Sequence, residues 1–426
     1  MKRLFPLIFL LTLPVWLNAQ VSFSAYFEPA SLRVDYLLAG TDSLSEVYLE
    51  QMKREPFFAG STVNLIDVKN FGTYRYRVFD LKSGELIFSK GFCPLFQEWQ
   101  TTAEASKLKR SYYQVAMLPF PKKEIRFTIE SKNRDGDFVQ LFSMEINPKD
   151  YFILNELSPI YEVETVLNNG KSDQKVDLVF LPEGYTEAEM DKFSADVERM
   201  TNILFAAEPF NRHRSDFNIY AVKVPSAQSG TDVPGEAIYV NTAFGSSFYT
   251  FDTPRYLTTK DMKSIHDAAA AVPYDHVYLL VNSDRYGGGG FYNFLSVTTV
   301  DHEKAPQVLV HEFGHGFAGL ADEYYSSEVA YDEFYNKRVE PWEPNITTLV
   351  DFDRKWKTML DPQTPVPTPR ESKYRHTLGV FEGGGYAAKG IYSPMMNCRM
   401  KTNEAEGFCP VCQQAIEEAI LWHCQE

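Results

Sequence analysis

Length, composition and charge limit the kind of protein that this chain can be. It has 426 residues, of which 44% are hydrophobic and 23% charged, and its formal net charge is −15. These values favour a globular protein of two domains over a disordered chain. The negative charge disfavours nucleic acids and anionic membranes as partners.

The first twenty residues have the pattern of a secretory signal peptide. Lys2 and Arg3 form the positive start, Leu4 to Leu17 the apolar stretch, and Ala19 or Gln20 the cleavage edge. The apolar stretch is shorter than the ~20 residues that a membrane-spanning helix needs. We therefore expect a secreted, periplasmic or cell-surface protein whose mature chain has no transmembrane segment.

Residues 21–155 show short alternating segments separated by turn signals. Gly72–Phe79 alternates apolar and polar residues and is followed by a turn at Lys82–Gly84, and Asn133–Gly136 marks a second hairpin. Such regularity predicts a β-sandwich of the immunoglobulin-like kind. The segment contains no recognisable catalytic residues, so binding or structural support is the expected role.

A connector at residues 156–175 precedes a second pattern, in which strand and helix signals alternate. This alternation predicts a mixed catalytic domain at residues 176–426, and an α+β fold for the whole chain. The four consecutive glycines within Tyr286–Tyr292 could cradle a substrate backbone, although we predict a flexible turn there. The expected strands are Val176–Leu181, Phe217–Val224, His276–Val281 and Phe294–Val300, with helices at 190–204 and 259–271.

One short motif, His311-Glu312-Phe-Gly-His315, carries the chemistry. Residues four apart lie on one face of a helix, so the two histidines can bind one zinc ion while Glu312 handles a proton. A buried helix with two hydrogen-bonded histidines is the alternative. The acids Asp322 and Glu323, which follow closely, and the expected export favour zinc.

A catalytic zinc needs a third protein ligand and one position for water. In metzincins the motif continues with a glycine and a third ligand, but Ala318 and Ala321 occupy those two positions here. Gly319 and Asp322 keep the internal spacing, shifted by one residue. We therefore predict Asp322 as the third ligand, with Glu323 as its nearest rival.

A gluzincin-like site would instead use Glu328, supported by Asp332, but this glutamate follows His315 too closely for two helices joined by a loop. Charge develops on the carbonyl oxygen during peptide hydrolysis, so a partner for this oxyanion is expected. The candidates are Tyr324, Tyr325, Tyr392 and His376.

The five cysteines leave several interpretations open. In an exported protein, disulfides among Cys398, Cys409, Cys412 and Cys424 are favoured, with three alternative pairings. A structural zinc on these four cysteines is the competing prediction. A redox role for the Cys-Pro-Val-Cys segment lacks the expected βαβ setting, and Cys93 is most simply a buried thiol.

Three stretches in combination resemble the bacterial IgA-peptidase family of zinc metallopeptidases. They are His311–Tyr324, Phe180–Thr186, and Asn397–Met400 ahead of Phe408–Cys412. The resemblance covers roughly residues 175–424. It implies a zinc-dependent endopeptidase with a β-rich N-terminal domain, and the family's founding substrate is the immunoglobulin A hinge. The segment Tyr392–Met400 is a candidate for the methionine turn beneath a metzincin zinc, without indicating which methionine lies there.

These observations predict a secreted zinc endopeptidase that acts on a protein or peptide substrate. Zinc would be bound by His311, His315 and Asp322, and Glu312 would act as the general base for a metal-activated water. One alternative is a secreted binding or adhesion protein with a structural zinc, for which Glu312 would be unnecessary. Another is a zinc amidase acting on a glycan or other non-protein substrate.

Overall fold

The computed structural model describes residues 20–155, 161–325 and 334–425. The expected signal peptide, apart from Gln20, lies outside these residues, as do the gluzincin-type candidates Glu328 and Asp332. The described chain is a mixed α+β protein in which an all-β region precedes a sheet covered by helices. The predicted fold class is confirmed. No helix within the described ranges is long and apolar enough to cross a lipid bilayer.

Within residues 20–155 the chain forms a β-sandwich. Its strands are β1 (Phe27–Gly40), β2 (Ser45–Glu55), β3 (Tyr74–Asp80), β4 (Leu86–Phe92), β5 (Arg110–Pro121), β6 (Ile125–Lys132), β7 (Phe138–Ile146) and β8 (Ile153–Leu154), with helices α1 (Phe23–Tyr26) and α2 (Leu95–Gln100). The two sheets have the orders β5-β1-β2-β8 and β4-β3-β6-β7. All neighbours are antiparallel except β8, which is parallel to β2.

The alternation in the sequence accounts for the inner face of the sandwich. Along β3 the side chains of Tyr74, Tyr76 and Val78 are buried, while the residues between them are partly exposed. Both predicted hairpins are present, because Gly84 donates to Asp80 O at 2.9 Å and Gly136 donates to Asn133 O at 3.1 Å.

The second region is built on a mixed six-stranded sheet of order β13-β14-β12-β10-β11-β9. The four inner strands are parallel, and the two edge strands are antiparallel to their neighbours. The strands are β9 (Glu162–Leu167), β10 (Val176–Glu183), β11 (Phe217–Lys223), β12 (His276–Val281), β13 (Gly288–Phe291) and β14 (Leu295–Thr299), and the later hairpin is β15 (Phe381–Gly384) with β16 (Ala387–Ser393). The α-helices are α3 (Met190–Leu204), α4 (Met262–Ala269), α5 (Ala305–Ala318) and α6 (Pro410–Cys424).

Two segments differ from their sequence-based predictions. The segment predicted as a connector contains β9, an edge strand whose side chains are exposed or only partly buried, so no apolar face marked it as a strand. The glycine run predicted as a flexible turn forms the edge strand β13, antiparallel to β14. Short-range signals did not reveal β9 because it pairs with β11, which is far away in the chain, and they did not reveal β13 because its glycines have no side chains to form a strand pattern.

The two faces of the central sheet bury different partners. Along β12, Val277 and Leu279 pack into the core shared with the β-sandwich and α4, whereas Tyr278 and Leu280 face α3, α5 and α6. A buried ion-pair group also joins the two regions. Arg33 on β1 lies 2.6 Å from Asp35 and 2.8 Å from Asp267 on α4. The β-sandwich is therefore packed directly against the sheet that supports the motif helix.

Candidate active site

The helix α5 presents the histidine motif at the wall of a large cleft. Pro306 lies in its first turn, where a missing N–H costs nothing. The helix ends at Gly319, whose φ of 65° is left-handed and whose N–H donates to His315 O at 3.0 Å. After this turn the chain runs back beside the helix, and Asp322 comes to lie next to the two histidines.

The motif histidines and Asp322 converge on one point. The Nε2 atoms of His311 and His315 are 3.0 Å apart, and Asp322 Oδ1 lies 3.1 Å from the first and 3.3 Å from the second. Ligand atoms held at about 2.0–2.1 Å by one tetrahedral metal ion lie roughly 3.3 Å from each other. We call this group, His311, His315 and Asp322, the cleft centre.

Hydrogen bonds on the far side of each imidazole define which nitrogen is free. His311 Nδ1–H donates to Arg399 O at 3.0 Å, and His315 Nδ1–H donates to Leu320 O at 2.6 Å. A neutral imidazole protonated at Nδ1 has a lone pair at Nε2. No hydrogen-bond donor among the described residues reaches the buried Asp322 Oδ1. Three acceptors thus face one another, an arrangement that fits a divalent metal ion.

The electrostatics of the cleft centre favour added positive charge. Burial opposes a charge on Asp322, but the neighbouring imidazoles outweigh it and hold the pKa of this carboxyl well below its ordinary value. Burial also opposes a charge on His315, yet Asp322 raises the pKa of His315 to about 9. The carboxylate therefore attracts a cation into this position, whether a proton or a metal ion.

A tyrosine that carried no signal in the sequence orients Asp322. Tyr386, in the turn between β15 and β16, donates its hydroxyl to Asp322 Oδ2 at 2.5 Å. The same turn binds the backbone of the ligand loop, since Gly385 N donates to Asp322 O at 2.8 Å and Tyr386 N donates to Tyr324 O at 3.0 Å. This contact joins positions 64 residues apart, so no motif could have indicated it.

The rival acid, Glu323, points away from the cleft centre. Its carboxylate is fully buried, with Oε1 at 3.3 Å from Cys412 Sγ and 3.1 Å from Asn345 Nδ2. Consecutive residues of extended chain project to opposite sides, which explains how neighbouring carboxylates reach different surroundings. Of the two acids, the structure places Asp322 beside the histidines.

Glu312 is partly buried and lines the cleft. Burial raises its pKa, while His311 and His315 oppose this shift. The glycines of β13 allow the edge strand to approach this part of α5 closely. A Cβ atom on Gly290 would lie 2.3 Å from Glu312 O, and one on Gly288 would lie 3.0 Å from Glu312 Cγ.

The segment before α6 passes beneath the helix. Met400 is fully buried, and its Sδ lies 3.0 Å from where Gly314 of α5 would carry a Cβ atom. Its carbonyl accepts a hydrogen bond from Glu323 N at 2.8 Å. Met395 and Met396 are only partly buried, so Met400 is the methionine packed under the motif.

The cleft has a volume of about 2440 Å³, and both regions of the chain line it. The β-sandwich contributes α2 residues together with the end of β6 and the turn that follows it (131–137), and the second region contributes residues of β13 and α5. Glu98 of α2 accepts a hydrogen bond from the Tyr256 hydroxyl, and burial raises the pKa of Glu98 to about 7. The β-sandwich, for which the sequence showed no catalytic signal, therefore forms one wall of the site.

Only one of the four sequence-predicted oxyanion partners lines the cleft. Tyr324 does so, whereas Tyr325, Tyr392 and His376 lie elsewhere. Tyr324 interacts with Arg255, which also lines the cleft. Burial opposes the charge of Arg255, but Tyr324 and Asp322 keep its pKa above the ordinary value. Nothing in the sequence indicated Arg255, because no motif surrounds this residue.

Two histidines and an aspartate around one point, with a glutamate beside them at the wall of a large cleft, define a candidate metal centre of the hydrolase type. Residues 165–377 and 370–420 match the family model described as IgA Peptidase M64, and residues 22–143 match the one described as Peptidase M64 N-terminus. The chain belongs to the IgA peptidase M64 family and is a peptidase. The predicted family resemblance is confirmed. No curated protein matches the chain.

Proposed function

We propose that this peptidase is an exported zinc endopeptidase, with His311, His315 and Asp322 as zinc ligands and Glu312 as the general base. The convergence of two imidazole Nε2 atoms and one carboxylate oxygen without a hydrogen-bond partner supports this most directly. Two imidazoles and one carboxylate are a common ligand set of catalytic zinc. Export is proposed from the pattern of the first twenty residues alone.

The chain's own residues account for the proton transfers of peptide hydrolysis. Zinc bound at the cleft centre would supply a Lewis acid and lower the pKa of water to about 7. Glu312 would take a proton from the attacking water and return it to the leaving amine, a role suited by a carboxyl whose burial raises its pKa. Arg255 and Tyr324 are the described cleft residues suited to stabilise the developing oxyanion.

The size of the cleft favours a polypeptide substrate. Small-molecule pockets usually measure about 300–1,000 Å³, and the cleft here measures about 2440 Å³. An extended peptide segment would fill such a space, with the β-sandwich as part of its binding surface. The family description names immunoglobulin A, which makes this antibody one probe among others.

The test compares Glu312→Gln with Glu303→Gln, an exposed acid shortly before the same helix. Both proteins, and the wild type with and without a zinc chelator, are incubated with a proteome-derived peptide library, and new termini are identified by mass spectrometry. We expect Glu312→Gln to lose ~10²–10⁴-fold in rate while retaining zinc, and the control to retain activity. Full activity in Glu312→Gln, or chelator-sensitive cleavage of glycan amides without peptide cleavage, would contradict the proposal.

A further inference from the structure

A second group of ligand-type side chains lies behind the cleft centre. Glu323, Cys398, Cys409 and Cys412 each place one ligand atom within 4.8 Å of those of the others, and all four are buried. We call this group the cysteine centre. None of its members lines the cleft.

The cysteine centre differs from the arrangement expected from the sequence. Cys424, the fourth cysteine of the predicted cluster, has its Sγ 3.6 Å from Asp216 O, and Glu323 completes the group instead. All five cysteines are free thiols in the structure. The sequence could not indicate this substitution, because Glu323 lies 75 residues before Cys398 in the chain.

The distances within the cysteine centre fit one small metal ion. Cys398 Sγ lies 3.7 Å from Cys412 Sγ, and Cys412 Sγ lies 3.3 Å from Glu323 Oε1. With metal–sulfur bonds of about 2.3 Å, tetrahedral geometry places two sulfurs roughly 3.8 Å apart, and a sulfur and an oxygen roughly 3.6 Å apart. The observed separations are close to these values.

The buried carboxylate of Glu323 forms no ion pair within 4.0 Å with any described lysine, arginine or histidine, although the charge of Lys401 acts on it from farther away. Glu323 Oε2 is buried and accepts no hydrogen bond. The nearby Lys401 donates its Nζ to Ser393 Oγ at 3.2 Å. Oε1 accepts hydrogen bonds from Asn345 and Cys412, and a metal ion at this point would supply the close partner that Oε2 lacks.

The start of α6 contributes two of the three cysteines. Cys409 is the N-cap of this 15-residue helix, and Cys412 lies in its first turn. The positive end of a helix dipole attracts negative charge, so it would stabilise metal-bound thiolates at this position. Cys398 adds to this cluster from the preceding loop, with its Sγ 3.3 Å from Cys409 N.

We propose that Glu323, Cys398, Cys409 and Cys412 bind a structural metal ion, and that this ion is zinc. Three thiolates and one carboxylate match the borderline-soft character of zinc, whereas magnesium and calcium prefer oxygen ligands. The site is closed. Four protein ligands fill a tetrahedral shell and leave no position for water, which distinguishes a structural zinc from a catalytic one.

The position of the cysteine centre gives the ion a role in holding the cleft centre, a role that rests on the proposed function. Glu323 follows Asp322 directly. Cys398 precedes Arg399, whose carbonyl accepts the His311 Nδ1 hydrogen bond at 3.0 Å. One ion would therefore tie together the loop that carries Asp322, the segment that orients His311, and the start of α6.

The experiment uses the full mature chain purified under reducing conditions, and its readouts do not depend on activity. We expect two zinc ions per chain by elemental mass spectrometry, and one in the double variant His311→Ala/His315→Ala. Cobalt(II) substitution should produce thiolate-to-cobalt charge-transfer absorption that persists in this double variant. Such persistence would support the cysteine centre even if the proposed peptidase mechanism failed.

Variants of the cysteine centre and a matched control complete the test. Cys412→Ser should lose one zinc ion and the charge-transfer absorption, and Glu323→Gln should weaken binding at the same site. Cys424→Ser, outside the group, should retain both ions. If Cys412→Ser does not fold, the zinc content and the cobalt absorption of the wild type still test the proposal. A single zinc per chain that is lost in His311→Ala/His315→Ala, cobalt absorption without charge transfer, or a Cys398–Cys412 disulfide in the reduced protein would overturn the proposal.

Discussion

The cleft centre and the cysteine centre begin at consecutive residues, yet they face different surroundings. Asp322 joins two histidines whose side chains are 15% exposed at the wall of a large cleft. Glu323 joins three cysteines that are buried in the core between α5 and α6. Three protein ligands beside a cleft leave room for water and substrate, whereas four buried ligands do not. Both groups can bind a metal ion, but only the cleft centre is accessible to water and substrate. This difference makes the cleft centre suited to catalysis and the cysteine centre suited to a structural ion.

The largest expected effect is a difference between substitutions of the two neighbouring acids, Asp322 and Glu323. Asp322→Ala should lose the metal of the cleft centre and at least ~10³-fold in kcat/KM, equivalent to about 4 kcal/mol of transition-state stabilisation. Glu323→Gln should retain that metal. Peptide cleavage and metal content measured on the same samples check both expectations. If Glu323→Gln lost the cleft metal and Asp322→Ala retained it, Glu323 and not Asp322 would be the ligand in the cleft centre.

A substitution in β13 should show how closely this strand packs against the motif helix. An added Cβ at Gly290 would lie 2.3 Å from Glu312 O, so one of the two elements must move. We expect Gly290→Ala to lower the free energy of unfolding by about 3 kcal/mol and to reduce activity. Gly407→Ala, next to the cysteine centre, is the control because a Cβ there would meet nothing within 4 Å. Equal stability of the two variants in chemical denaturation would refute the packing argument.

Removal of one hydroxyl should weaken the cleft centre without affecting the cysteine centre. Tyr386→Phe deletes the hydrogen bond to Asp322 Oδ2. Loss of such a supporting partner typically costs about 10–100-fold in metal affinity. Tyr239→Phe, at a tyrosine that is 67% exposed, is the control. Chelator titration of the zinc-loaded proteins measures the difference, and an unchanged cleft affinity would show that Tyr386 does not support Asp322.

The smallest effect concerns acid unfolding, which must be distinguished from metal loss at low pH. Although burial opposes ionisation of Asp267, hydrogen bonds from Lys263 and Lys53, together with the charge of Arg33, lower its pKa from 3.8 to about 2. Its contribution to stability is thus fully present above pH 3.8 and is lost as the pH falls towards 2. Asp267→Asn should therefore cost about 2 kcal/mol at pH 7 and little at pH 2.

The control for this comparison is Asp284→Asn, at an exposed position of the same region. Denaturant unfolding of the metal-free proteins at several pH values isolates the ion pairs from the metal centres. If the stability difference between Asp267→Asn and the wild type stayed constant from pH 7 to pH 2, the carboxylate would not be the group responsible.

Much of the fold and of the cleft centre could be predicted because the relevant signals are short-range. The α+β class follows from a change in hydrophobic period along the chain, and the motif histidines share a helix face because they are four residues apart. A short loop that begins at one left-handed residue, Gly319, brings Asp322 near these histidines. The family resemblance rested on the same local motifs, and the matches to both family models confirm it.

The sequence by itself thus determined the fold class, the motif helix and the nearby acids, because these depend on contacts within a few residues. Only the tertiary structure decided which way each acid points and which distant residues support it. Tyr386 orients Asp322 from the β15–β16 turn, Glu98 enters the cleft from the β-sandwich, and Glu323 replaces Cys424 in the cysteine centre. Such contacts join residues that are far apart in the chain, and long-range packing, which leaves no periodic pattern in the sequence, brings them together.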